Sequence, residues 1–81
     1  MMRQKRPALI LAFDSTSQAI AAEKLFQENG LPGRMIPVPA QISAGCGLAW
    51  KTEPDQKQVL LDALSKAGLL YAACAVVEMF G

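Results

Sequence analysis

Hydrophobic and polar positions fall into blocks whose period changes along the chain. Residues 8–13, Ala-Leu-Ile-Leu-Ala-Phe, form a continuous apolar run that predicts a central strand covered on at least one face by helix. From Ala19 the spacing turns helical. Ala19, Ala22, Leu25 and Phe26 share one side of a 3.6-residue wheel, Glu23, Lys24, Gln27 and Glu28 stand opposite or beside it, and Ile20 falls off the face. Ser15, with Gln18 three residues on, has the form of a capping box at the start of this helix, and Asn29-Gly30 supplies its stop. A second strand is predicted over 33–36, ended by Pro37, which has no N–H to give a ladder. A third is predicted over 47–51, antiparallel to the second because no helix lies between them. Thr52-Glu53-Pro54-Asp55 opens a second helix, with proline near the first helical position and acids in the first turn. Val59, Leu60, Ala63, Leu64 and Ala67 form its apolar face, Gly68 closes it, and 69–79 follows as a last apolar strand.

The order is strand-helix-strand twice over, a pseudo-repeat marked by the glycine stops Gly30 and Gly68. It predicts an α+β fold: the ferredoxin-like βαββαβ sandwich, a four-stranded antiparallel sheet with two helices on one face. One such domain is expected over 8–81, behind a flexible basic tail at 1–7. A sheet with one bare face and this much apolar sequence predicts a homodimer through the open face or an edge.

Composition narrows the function. Eighty-one residues give one domain with one thin core, and 52% hydrophobic residues rule out disorder. The net charge of +1 leaves no electrostatic footprint for nucleic acid, the only basic cluster being Arg3-Gln4-Lys5-Arg6. An RNA-recognition domain shares the strand order but needs aromatics with basic neighbours, and strand one offers only Phe13. The run at 8–13 is too short for an export signal or a membrane span, so a cytoplasmic protein with reduced thiols is expected. The absence of histidine removes Ser/His/Asp and Cys/His catalysis and His-ligated zinc. No metal and no cofactor are expected.

The remaining chemistry lies between the second and third strands. Pro37 and Pro39 fix the backbone at the start of that loop, and Gly45 and Gly47 free it on either side of Cys46. In the predicted topology this loop meets the turn from strand one into helix one, so Cys46 is expected near Asp14, Ser15, Thr16 and Ser17. A helix N-terminus stabilises an anion and can lower a thiol pKa, and the hydroxyls of Ser15, Ser17 and Ser43 can add hydrogen bonds. The same residues admit a structural account, with Cys46 a small apolar turn residue, the prolines setting the loop's path, and Asp14 and Ser15 acting only as caps. Cys74, within the last apolar strand, is expected to be a buried structural thiol, the alternative being a resolving partner for Cys46. Trp50 and Tyr71 are expected in the core or on a dimer surface.

Phe13, Ser15-Thr16, Ala19, Glu23-Lys24, Ile36-Pro37-x-Pro39, Ile42-Ser43 and Cys46-Gly47 together resemble the family of selenium/sulfur carrier-like proteins, in motif over about 9–50 and in pattern beyond. The resemblance implies a small cytoplasmic prokaryotic protein whose Cys46 holds sulfur or selenium as a persulfide or its selenium analogue. Its implied partners are donor and acceptor proteins. The family pattern carries a basic residue after the second proline, where this chain has Ala40, so Arg34 or the helix end would have to supply the positive charge. Two functions follow. One is a carrier working through Cys46; the other is a non-catalytic binding or oligomerisation module that recognises a small anion or a partner protein through the 37–47 loop. An independent enzyme finds no general base beside the thiol.

Overall fold

The computed structural model describes residues 5–39, 42 and 47–80. The elements run β1 (Lys5–Ala12), α1 (Thr16–Glu28), β2 (Arg34–Pro37), β3 (Leu48–Thr52), α2 (Lys57–Ala67) and β4 (Ala73–Phe80), with a 3-10 turn at Pro54–Gln56 leading into α2. The sheet order is β2-β3-β1-β4, and every neighbouring pair is antiparallel. Each strand-helix-strand unit therefore has a strand of the other inserted between its own two. This is the expected ferredoxin-like α+β sandwich.

Strand alternation gives the sheet two faces of different character. Leu9, Leu11 and Phe13 point to the helices and form the main core with Ala19, Ala22 and Phe26 of α1, Leu60 and Leu64 of α2, and Trp50 of β3. The Phe26 and Trp50 rings lie 5.1 Å apart at a tilt of 54°, a favourable aromatic geometry. Each such fully buried side chain contributes about 1.5–3 kcal/mol by leaving water. Both helices end as the glycines require. Gly30 and Gly68 are left-handed, and Leu31 N–H and Leu69 N–H reach back to the carbonyls of Phe26 at 2.9 Å and Leu64 at 3.0 Å.

The other face is not bare. Ala8, Ile10, Ala12 and Ala49 are buried there, with Val38 and Ile42 of the β2–β3 connection packed against them beside Ile36, Ala73, Val77 and Met79. The chain's own loop thus fills part of the face expected to await a second copy.

Several element bounds differ from the sequence reading. β1 begins at Lys5, because Lys5, Arg6 and Pro7 pair with Phe80, Met79 and Glu78 of β4. Pro7 is tolerated there because β3 has already ended, at Thr52 opposite Leu9, so no ladder bond to that side is needed. Thr52 closes β3 rather than opening α2, with its hydroxyl donating to the Pro32 carbonyl at 2.9 Å. Val59 and Ala67 are exposed, which narrows the buried stripe of α2 to Leu60 and Leu64. Leu69 and Leu70 precede β4, Leu70 being 67% exposed. Trp50 is in the core and Tyr71 is exposed.

Candidate functional site

The strand register fixes which parts of the chain share an end of the sheet. Ala12 lies opposite both Ala49 and Ala73, and Pro37 lies opposite Leu48. The turn from β1 into α1, the β2–β3 connection and the start of β4 therefore meet at one end. Ala72 N–H donates to the Ala12 carbonyl at 2.7 Å and ties the start of β4 to this corner.

Helix α1 begins here. Ser15 is extended, and its Oγ accepts the Gln18 N–H at 3.1 Å, satisfying one of the donors that the first helical turn leaves unpaired. The capping box is only half made. The Gln18 side chain turns away, and its Oε1 accepts the Leu70 N–H at 3.3 Å, linking α1 to the segment before β4. Thr16 and Ser17 are exposed and the first turn itself contains no carboxylate, the nearest in sequence being the exposed Asp14 just before the cap.

The β2–β3 connection is pinned at both ends of its described part. Val38 N–H donates to the Gly47 carbonyl at 2.9 Å, and Ile42 N–H donates to the Pro39 carbonyl at 3.0 Å. Gly47 has a φ of +82°, which a residue with a side chain adopts only under strain. Pro37 is exposed at the end of β2, and Pro39 is half-buried. Ser15, Thr16 and Ser17 thus stand at the same end of the sheet as Pro37, Pro39 and Gly47. Val38 and Ile42, however, pack on the face away from α1. The expected residues Ser43, Gly45 and Cys46, and Ala40, lie outside the described residues.

Cys74 lies at this end too, opposite Leu11 near the start of β4, half-buried against the helix-side core. Burial pushes its thiol pKa up, and the Lys57 ammonium offsets this only in part. Arg34, expected as a substitute for a cation at position 40, is at the other end of β2 from Pro37. It starts β2 opposite Lys51, about 10 Å along the strand from Pro37 at 3.3 Å per residue.

A cleft of about 390 Å³ lies at Arg34's end of the sheet, with Arg6 and Lys51 also on its lining. The sequence reading left Arg6 in a tail, although its even spacing from Ala8 and Ile10 would have put all three on one face of an extended β1. Among the described residues no three His, Cys, Asp or Glu side chains cluster as metal ligands, and no helix is long and apolar enough to cross a membrane.

The model of the family described as "Putative Se/S carrier protein-like" matches residues 8–75. No curated protein and no solved structure matches the chain.

Proposed function

The chain belongs to the Se/S carrier protein-like family, and from that premise we propose that it carries sulfur or selenium on Cys46. In the sulfur case the Cys46 thiolate attacks the outer sulfur of a donor protein's persulfide. The new S–S bond forms as the old one breaks, and the donor cysteine leaves as a thiolate. An acceptor thiolate then attacks the outer sulfur on Cys46 in the same way, so the transfer consumes no external oxidant or reductant. Selenium passes through the same two displacements.

The observation that supports this most directly concerns the other cysteine. The chain has two, and the Cys74 thiol is half-buried with its pKa pushed up, which makes it the poorer nucleophile near neutral pH. Cys46 has glycine on both sides in sequence, so neither adjacent residue brings a side chain beside the thiol. In this proposal Thr16, Ser17 and Ser43 serve the attached group as hydrogen-bond donors, Gly45 and Gly47 leave it accessible, and Pro37 and Pro39 hold the loop's approach. Ser15 holds the start of α1, the source of positive potential. The partners are donor and acceptor proteins, and the reducing cytoplasm is the compartment that keeps both thiols free. A homodimer contact falls on the free edge of β4, where Val76 is 56% exposed, since Val38 and Ile42 already occupy part of the open face.

Mass spectrometry after incubation with a persulfide donor tests the proposal. The parent and Cys74→Ala are expected to gain the mass of one sulfur atom and to lose it to added thiol, and Cys46→Ala is expected to gain none. Equal uptake by Cys46→Ala would overturn it.

A further inference from the structure

The sheet has a second feature, at the end away from Cys46's loop. β3 stops at Thr52, opposite Leu9, while β1 continues back to Lys5 and stays paired with β4. On the other side of β3, the chain approaches β2 through Pro32 and Gly33. The place a longer β3 would fill is left as a notch between β1 and β2, about 10 Å across at two strand spacings. This is the 390 Å³ cleft, a volume within the range of small-molecule pockets.

Its lining is selective. Alternation puts Arg6, Arg34 and Lys51 on the face away from the helices: Arg6 two residues before Ala8, Lys51 opposite Ile10, and Arg34 opposite Lys51. Among the described residues Glu53 is the single carboxylate on the wall, so their lining carries three positive charges against one negative, although the whole chain is only +1. Arg34 and Lys51 are directly opposed like charges, an arrangement that costs a sheet stability. No ion pair relieves Arg6, Arg34 or Lys51 among the described residues. The rest of the wall includes Ala8 and Met79, which are apolar.

We propose that this notch binds an organic phosphate monoester. Its dianionic head would offset the net double positive charge, with the guanidinium forks of Arg6 and Arg34 and the Lys51 ammonium as donors. Its organic part would lie on Ala8 and Met79. Because the notch is at the other end of the sheet, this binding is independent of sulfur carriage by Cys46.

The test is calorimetric titration with propyl phosphate, inorganic phosphate and propanol, read in parallel by the fluorescence of Trp50. This is the chain's sole tryptophan, and its Nε1–H donates to the Pro32 carbonyl behind the cleft wall at 3.3 Å. Propyl phosphate is expected to bind saturably at one site, inorganic phosphate more weakly, and propanol not at all. Arg34→Gln and Lys51→Gln should each weaken propyl phosphate about tenfold, the loss expected for one charge-assisted hydrogen bond. Both variants should melt no lower than the parent in phosphate-free buffer, since each removes half of an opposed like-charge pair, so lost binding cannot be laid to misfolding. Cys46→Ala should bind as the parent does, which separates failure here from failure of the carrier proposal. No saturation in the millimolar range, inorganic phosphate binding as well as the monoester, or undiminished binding by both Gln variants would each overturn the proposal.

Discussion

Among the described glycines, Gly33 is the one where an added β-carbon has no room. Its φ is +131°, and a β-carbon there would overlap Nε1 of Trp50 and lie 2.6 Å from the Lys51 carbonyl oxygen and 2.7 Å from Cε2 of Trp50. None of these neighbours can yield cheaply. The Lys51 carbonyl is strand backbone, and the indole is 2% exposed, held by the Phe26 ring on one side and its hydrogen bond to Pro32 on the other. For Gly33→Ala the backbone strain is about 1–3 kcal/mol. Overpacking adds about 1–3 kcal/mol, and a displaced indole forfeits about 1 kcal/mol of hydrogen bonding. The total of about 3–7 kcal/mol is a large part of the roughly 4–12 kcal/mol expected for a domain of this length. Gly30→Ala is the matched control. Gly30 is also left-handed, at +65°, but no described atom lies within 4 Å of its would-be β-carbon, so only about 1–2 kcal/mol of backbone strain applies. Urea unfolding followed by Trp50 fluorescence should place the Gly33→Ala midpoint well below that of Gly30→Ala at similar slope. If the two variants fall within about 1 kcal/mol of each other, packing against Trp50 is not what demands glycine at position 33.

Two further outcomes follow from the site end of the sheet. Ser15→Ala removes the acceptor of the Gln18 N–H and should cost about 1 kcal/mol in urea unfolding, while Ser17→Ala, at an exposed position, should cost much less. Burial raises the Cys74 pKa, so the unfolded chain releases that proton first as pH rises. The stability linked to Cys74 is whole below the ordinary thiol range and declines as pH climbs from there through the raised folded value; urea midpoints across that range should fall more steeply in the parent than in Cys74→Ala, and parallel curves would refute it.

The element order was legible because each signal in it is local: the apolar run of β1, the Ser15 cap, the periods of α1 and α2, and the left-handed stops at Gly30 and Gly68. What escaped depends on partners distant in sequence. Lys5, Arg6 and Pro7 contain no strand pattern of their own and are extended because β4 is long enough to pair with them. Gln18 was read as a capping partner of Ser15, but the backbone of Leu70, brought alongside by the fold, takes its carbonyl oxygen. Val59 has the right helical spacing to be buried, yet it lies at the margin of the stripe that faces the sheet, where Leu60 and Leu64 fill the contact. The loop was legible as a loop, but not the use of Val38 and Ile42 to cover the second face, because periodicity says nothing about a segment without regular structure.

The unequal strand lengths account for both ends of the molecule. β1 and β4 have eight residues each, β3 has five and β2 four. Pro37 ends β2, so the chain must cross back to Gly47 through a connection whose two ends are tied by the Val38 N–H and the Gly47 carbonyl. At the opposite end the early stop of β3 opens the notch, and Gly33 lets the approach to β2 close against Trp50 and form its wall. Charge follows the same division. Arg34, the cation expected to substitute for one at position 40, lines the notch together with Lys51, and the position after Pro39 is Ala40. In the carrier proposal the positive potential for Cys46 comes from the start of α1, where Ser15 holds a first turn that contains no carboxylate. A dipole end supplies less than a full charge and its influence fades within a turn. Sulfur transfer by this chain should therefore be more sensitive to the cap at Ser15 than to neutralising Arg34 or Lys51, whereas phosphate binding should show the reverse order.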